Sequence, residues 1–243
     1  MIRTLGMLAF WLLLVPFAAL IGFPWTLLSG KVDLLYWLGT RIAFAGVRVA
    51  GVRVRVVGME RLDPTVTYIF MSNHVSNLDP PLLVPLIPRR TSVLVKKELF
   101  RVPILGYAMR LASLVPVDRS NRDAAIASLR AAADVLARGI PMTIFVEGTR
   151  SFDGRLLPFK KGPFYLAVET GVPVVPVTLA GTHRILPKRS FRMRGRDATV
   201  TFHPPLNPRQ FSDRDALLAA VRSSIESALP AEYRGDAPAA QPS

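Results

Sequence analysis

Hydrophobic and polar positions follow one pattern over the first 50 residues and another over the rest. Residues 4–30 hold no charged side chain, a run of 27 positions that includes Leu12, Leu13, Leu14, Phe17, Ile21, Phe23 and Trp25. As a helix rising about 1.5 Å per residue, such a run covers roughly 40 Å, more than the ~30 Å of a hydrocarbon core. A cleaved signal peptide would have an apolar region of about 7–15 residues. The first small-x-small site, Ala43-Phe44-Ala45, also lies too far downstream, so the pattern predicts a retained membrane anchor. Pro16 and Pro24 interrupt it, and a second apolar stretch over 34–50, with Arg41 and Arg48, suits the other arm of a helical hairpin. Spanning and re-entrant placements both remain open. Trp11, Trp25, Tyr36 and Trp37 fit a membrane interface and fit an ordinary core equally well.

From residue 51 the period changes. Residues 51–57 alternate apolar and charged, as a half-buried strand does. Further β-rich runs stand at 66–71, 92–95, 114–117, 142–146, 174–179 and 198–203. Between them, 122–138 reads as a helix with Ile126, Leu129, Ala133 and Leu136 on one stripe, Ser120 or Asn121 as cap and Gly139 at its end. Residues 161–170 stop at Gly171, and 213–228 follow a capping Ser212 and stop at Pro230. Strands alternating with helices predict an α/β layer fold. The chain thus divides into an anchor at 1–50, a body at 51–234 and a small polar tail at 235–243, expected to be loose.

Composition narrows the function classes. At 243 residues and 50% hydrophobic, the chain is long and apolar enough for one sizeable core, and disorder is excluded as its main state. It has no cysteine, which removes disulfides, thiolate metal sites, iron–sulfur clusters and a cysteine nucleophile. Thirty-one Lys and Arg against 17 Asp and Glu leave a net charge of +14, suited to nucleic acid, an anionic membrane or phosphorylated substrates. Without the first 50 residues the balance is still 27 to 16, which favours the cytoplasmic leaflet. Arg184, Lys188, Arg189, Arg192, Arg194 and Arg196 occur with no acid between them, interleaved with Phe191 and Met193. That cluster fits lipid headgroups, an acidic carrier protein or a merely solvated loop. No helix-turn-helix, zinc-finger or RNA-binding signature accompanies it, so nucleic acid is not the expected partner.

Of three histidines, His183 and His203 read as structural, with no carboxylate partner or metal spacing nearby. His74 stands in Ser72-Asn73-His74-Val75-Ser76-Asn77-Leu78-Asp79-Pro80, just after an apolar strand, where α/β proteins expose reactive groups. Five residues apart, His74 and Asp79 would not share a face of one helix. They meet if the histidine lies in the loop and Asp79 comes round beneath it. The carboxylate then fixes the tautomer and leaves the other ring nitrogen to take a proton from a hydroxyl. The spacing alone arises by chance in roughly one such sequence in seven. Context comes 73 positions later in Phe145-Val146-Glu147-Gly148-Thr149-Arg150-Ser151, a strand delivering an acid, a glycine, a hydroxyl and a guanidinium to a turn. Such a turn suits a phosphate, or simply braces itself.

In this order and separation, the two motifs resemble those of the glycerolipid acyltransferase family, especially bacterial 1-acyl-glycerol-3-phosphate acyltransferases. Lys96-Lys97-Glu98-Leu99 with Pro103 and Gly106, leading to Val115-Pro116-Val117-Asp118-Arg119, resembles the family's second block, and Val172-Pro173-Val174-Val175-Pro176-Val177 its fourth. Val146 replaces the family's usual proline, and Ser113 a frequent glycine. The resemblance implies a central mixed sheet flanked by helices, attached to the apolar start. It implies that His74, oriented by Asp79, is the general base for acyl transfer from a thioester to a lysophospholipid hydroxyl, forming phosphatidic acid. Arg150, Arg119 and Lys97 would grip the acceptor phosphate, with Glu147, Gly148 and Thr149 shaping that site and Val174 and Pro176 on the acyl-donor side, in a stretch that reads equally as a buried strand. No cofactor and no metal are implied beyond the co-substrate, acyl-coenzyme A or acyl carrier protein. The expected setting is an anionic membrane, with the catalytic domain on the cytoplasmic face of the inner membrane. Another lyso-lipid, an ornithine-type lipid or glycerol-3-phosphate would serve as acceptor with the same residues. A non-catalytic protein binding anionic membrane is the alternative of a different class. A metallohydrolase ranks low, since no second histidine lies within ligand spacing of His74.

Overall fold

The computed structural model of the protein describes residues 1–118 and 122–235. Arg119, the cap positions Ser120 and Asn121, and the tail beyond Gly235 lie outside the described residues. Seven strands form a single mixed sheet: β1 (Arg53–Val57), β2 (Ile69–Ser72), β3 (Ser92–Lys96), β4 (Val115–Val117), β5 (Met142–Phe145), β6 (Val174–Ala180) and β7 (Asp197–Phe202), in the order β1-β7-β6-β2-β5-β3-β4. β6, β2, β5, β3 and β4 run parallel, β7 is antiparallel to β6, and β1 is parallel to β7. The expected mixed α/β architecture is therefore the one observed.

Period-two alternation sorts the strand residues between two faces. Ile69, Met71, Met142 and Ile144 join Phe164, Leu166, Leu217, Val221 and Ile225 in one core. Those partners come from the helices Gly162–Thr170 and Arg214–Ser227, and the helix Arg122–Ala137 adds Ala132, Val135 and Leu136. On the opposite face Phe70, Phe145, Val175, Val177, Val200 and Phe202 pack with Leu83 and Ile87. The last helix starts one residue later than expected. Asp213, not Ser212, is its cap, because the Asp213 carboxylate accepts the Ala216 amide at 2.8 Å.

The N-terminal run forms α1 (Ile2–Ser29), and α2 (Asp33–Val49) returns beside it. Glycines let the two approach: a Cβ on Gly22 would stand 2.7 Å from the Leu35 side chain, and one on Gly46 only 2.0 Å from Trp11. Pro16 and Pro24 do not interrupt α1. Each proline removes one amide donor, but the buried stripe Thr4, Met7, Ala18, Gly22 and Thr26 continues past both and keeps the helix seated. Two of the four aromatics suggested as interfacial anchors turn inward instead. Trp11 donates its indole N–H to the Ile42 carbonyl at 3.1 Å, and the Tyr36 hydroxyl accepts the Thr91 amide at 3.1 Å. Trp25 and Trp37 are half exposed.

Candidate active site

Because five strands run parallel, the segments leaving β2, β3, β4, β5 and β6 all emerge at the same end of the sheet, where open α/β sheets place their ligands. His74 follows β2, Glu147–Arg150 follow β5, Lys97 follows β3, Asp118 follows β4 and Thr182 follows β6. The spread of these residues over 109 positions, from His74 to Thr182, is closed by strand order.

His74 lies in the loop, and Asp79 opens a short helix, α3 (Asp79–Leu83). The His74 Nδ1 stands 2.8 Å from Asp79 Oδ2. A carboxylate at that position requires the proton on Nδ1, which leaves a lone pair on Nε2. Asp79 is fully buried, so its charge depends on its partners. Oδ2 also accepts the amides of Val75 and Ser76, each at 2.7 Å, and Oδ1 accepts the Thr182 hydroxyl at 2.6 Å. Below the imidazole lies the Phe145 ring, stacked at 4.2 Å between centroids.

The second motif is tied to the first through the backbone of His74 itself. The His74 amide donates to Glu147 Oε1 at 2.6 Å, and its carbonyl accepts the Ser151 amide at 2.9 Å. Glu147 Oε2 accepts the Leu157 amide at 2.9 Å. The Glu147 carboxyl is thus occupied in holding loops together and does not face a ligand. It braces the His74 backbone from inside, where the resemblance had grouped it with the residues shaping the phosphate site. Burial pushes its pKa up to about 8, outweighing the two amide hydrogen bonds that favour the charged form, and the Asp79 charge adds to the rise. Val146, in the place of the family's proline, donates its amide to the Ser72 carbonyl at 3.0 Å, a bond proline cannot make. Ser113 adopts a positive φ of 62°, which explains why glycine is common there.

Gly148 turns the chain at φ 69°, leaving Thr149 exposed and Arg150 half-buried. The Arg150 carbonyl accepts the Lys188 ammonium at 2.7 Å, which also sits 3.6 Å above the Phe152 ring. Partial burial and the neighbouring charges of Arg150 and Arg189 lower the Lys188 pKa. Lys97 is at the same end of the sheet, but its ammonium is paired with the Asp118 carboxylate, so it reaches a phosphate only by sharing. Val174 and Pro176 do not join this group. They are buried in β6 level with Ile69 and Met71, and Val174 lies roughly 10 Å down the strands from the His74 end. Theirs is the place of a buried strand. A cavity of about 660 Å³ between Phe100, Arg110, Leu114, Val135 and Arg138 includes none of the motif residues His74, Asp79, Glu147 or Arg150.

Several contributors escaped the sequence reading. Thr182 has no motif around it. Asn73 bridges β2 to β6 by accepting the Leu179 amide at 2.8 Å and donating to the Leu179 carbonyl at 2.9 Å. Phe145 and Ser151 were legible only as neighbours of the Glu147 motif. His203 is structural, with Nε2 2.9 Å from the Thr178 hydroxyl, and His183 packs edge-on against Tyr233.

A mixed sheet that gathers an Asp79-bonded imidazole and the Glu147–Arg150 turn at one end defines the chain as an α/β protein with a histidine-bearing site at the carboxyl ends of its parallel strands. The chain belongs to the acyltransferase family, whose model, described as Acyltransferase, matches residues 53–180. A 1-acyl-sn-glycerol-3-phosphate acyltransferase of Limnanthes douglasii is 38% identical over 185 residues, covering 76% of this chain and 64% of that protein. The Homo sapiens 1-acyl-sn-glycerol-3-phosphate acyltransferase alpha is 33% identical over 178 residues, covering 72% and 63%. The chain therefore matches a little under two thirds of the length of these curated relatives. Among solved structures, the 1-acyl-sn-glycerophosphate acyltransferase PlsC of Thermotoga maritima superposes with a TM-score of 0.77 at 26% identity, covering 92% of each chain.

Proposed function

We propose that the chain transfers a fatty acyl group from an acyl thioester to the free hydroxyl of 1-acyl-glycerol-3-phosphate, giving phosphatidic acid. The observation behind this reading is the His74–Asp79 contact of 2.8 Å, with the His74 backbone carbonyl bonded to the Ser151 amide next to Arg150. Nε2 of His74 removes the hydroxyl proton as the oxygen attacks the thioester carbonyl carbon. The imidazolium is held by the Asp79 carboxylate. When the C–S bond breaks, the departing thiolate takes that proton, which returns His74 to its starting state. No acyl-enzyme intermediate is needed, and no group beyond the donor thioester. Arg150 supplies a planar double donor for the acceptor phosphate, with Lys97, Thr149 and Arg119 as its partners. The relatives' identity as 1-acyl-sn-glycerol-3-phosphate acyltransferases supports this acceptor, and the donor is acyl-coenzyme A or acyl carrier protein.

The reading places α1 in lipid. Leu12, Leu20 and Leu28 are 79%, 71% and 89% exposed, and the run of 27 residues offers water no charged group. A membrane-seated enzyme meets an acceptor that resides in the bilayer, and its net positive charge suits a cytoplasmic, anionic surface at the inner membrane. The test is an assay of purified protein with both donors against lysophosphatidic acid, other lyso-lipids and glycerol-3-phosphate, with products resolved by mass. Phosphatidic acid as the main product is expected. Acylation of a different acceptor in preference, or vesicle binding without any transfer, would overturn the assignment.

A further inference from the structure

The basic segment 187–196 is not a free surface loop. Its Met193 side chain is buried among Met7, Leu78, Leu82 and Ile185. The Met193 amide donates to the Thr4 hydroxyl at 3.1 Å, and Arg3 donates to the Gly195 carbonyl at 3.0 Å. Arg3 is the last charge before the uncharged run begins at Thr4. The loop is therefore stapled to the point where α1 passes from charged to wholly apolar sequence. With the apolar length of α1 entering lipid as proposed, that point falls at the boundary between headgroups and acyl chains.

What the loop shows to the outside matches that boundary. Phe191 is 86% exposed, with no acid anywhere in the segment. Arg189, Arg192, Arg194 and Arg196 are exposed around it. The neighbouring acid, Asp197, is already consumed by a two-toothed pair with Arg53 at 2.7 and 2.9 Å. The loop is ordered from within: Ser190 donates its amide to the Pro187 carbonyl at 3.0 Å, the Arg192 amide donates to the Ser190 hydroxyl at 3.1 Å, and the Arg194 amide donates to the Ile185 carbonyl at 2.7 Å. An aromatic ring held out in water by an ordered loop and ringed with guanidinium groups costs free energy in solution. It is matched by a surface that is apolar below and anionic above.

We propose that residues 187–196 form a second membrane contact, in which Phe191 enters the headgroup–acyl boundary and Arg189, Arg192 and Arg194 bind the phosphates of anionic lipids. An acidic carrier protein shares the charge complementarity but does not account for a naked ring at the depth where α1 becomes apolar. The loop also touches the proposed acceptor site. Lys188 donates to the Arg150 carbonyl, and Arg189 lies 5.3 Å from the Phe152 ring centroid, so lipid captured at the loop is delivered beside Arg150. The proposal rests on α1 being seated in lipid.

The test uses the full chain and two vesicle types, neutral phosphatidylcholine alone and phosphatidylcholine with phosphatidylglycerol. The wild type is expected to bind both, and the anionic vesicles more tightly. The variant F191A/R192A/R194A should still bind neutral vesicles but lose its anionic preference, by roughly fivefold per arginine removed. Its acylation of a short-chain, micelle-free acceptor should be unchanged. Because the chain has no native cysteine, Phe191→Cys supplies a unique position for an environment-sensitive dye, which should shift to the blue on anionic vesicles. A wild type that binds neither vesicle overturns the seating of α1, and the loop proposal with it. A triple variant that keeps its anionic preference, or a dye that stays in water while α1 binds, overturns the loop proposal alone. A variant impaired only with acyl carrier protein as donor assigns the surface to that partner and likewise overturns it.

Discussion

The carboxyl end of the sheet and helix α1 handle their side chains in opposite ways. At the sheet end Asn73, Ser76, Asp79, Glu147, Ser151 and Thr182 are buried polar residues, and each has hydrogen-bond partners. Along α1 a narrow stripe is buried, while Leu8, Leu12, Leu13, Phe17, Leu20, Ile21 and Leu28 lie open. A buried polar group is tolerated when its bonds are made, and an exposed apolar ridge is tolerated when another phase covers it. The first region is complete within the chain, and the second, on the proposed function, is completed by lipid. Substitutions in the two should therefore register in different measurements.

The largest effect is expected at His74. His74→Ala should lower kcat by about 10²–10⁴-fold in a detergent assay, with circular dichroism unchanged. Near-normal turnover would remove the base from the mechanism. Next, replacing Leu12, Leu20 and Leu28 together by Gln should lower vesicle partitioning on the order of a thousandfold, at about 1.5 kcal/mol or more per leucine. The melting temperature in detergent should not fall, because none of the three packs on the body. A large loss of stability would show that α1 is a core helix and would erase the contrast between the regions.

Thr182→Val leaves one oxygen of a buried carboxylate unpaired while keeping side-chain volume. A drop of about tenfold in kcat is expected, with KM for the acceptor little changed and Thr182→Ser restoring the rate. A change confined to KM would place Thr182 on the substrate instead. The smallest effect concerns pH. The folded Glu147 pKa, pushed up to about 8, lies above its ordinary value near 4.5, so the stability it contributes is full below about pH 4.5 and is lost as pH rises through 8. The stability advantage of wild type over Glu147→Gln in thermal melts should be largest near pH 5 and shrink toward pH 8. An advantage that grows with pH would mean that the two amide bonds win over burial and that the charged form is the stabilised one.

The limits of the sequence reading follow the range of each interaction. The pairing of His74 with Asp79 is five residues long, and a loop followed by one helical turn suffices to make it. Ser212 was read as a cap in place of Asp213 because two adjacent residues of the same capping class cannot be separated by pattern. Glu147 was placed with the residues shaping the phosphate site, with bracing of the turn left open, because a glutamate before a glycine turn has no sequence mark that distinguishes an outward carboxylate from one folded back onto amides. Val174 and Pro176 were placed on the donor side by resemblance. Their depth in the sheet depends on register with Ile69 and Met71, which no local pattern shows.

What the sequence determined by itself is local: where the apolar period is 2 and where it is helical, where charge vanishes for 27 residues, and that an imidazole and a carboxylate stand five residues apart. What only the tertiary structure decided is long in range. Glu147 holds a backbone 73 residues away, Thr182 caps a carboxylate 103 residues away, and the cationic loop is fastened to Thr4 across 189 residues. Hydrophobic periodicity says which face a residue presents but not which strand becomes its neighbour. Strand order, chosen by the packing of the whole sheet, brings those distant groups to one end.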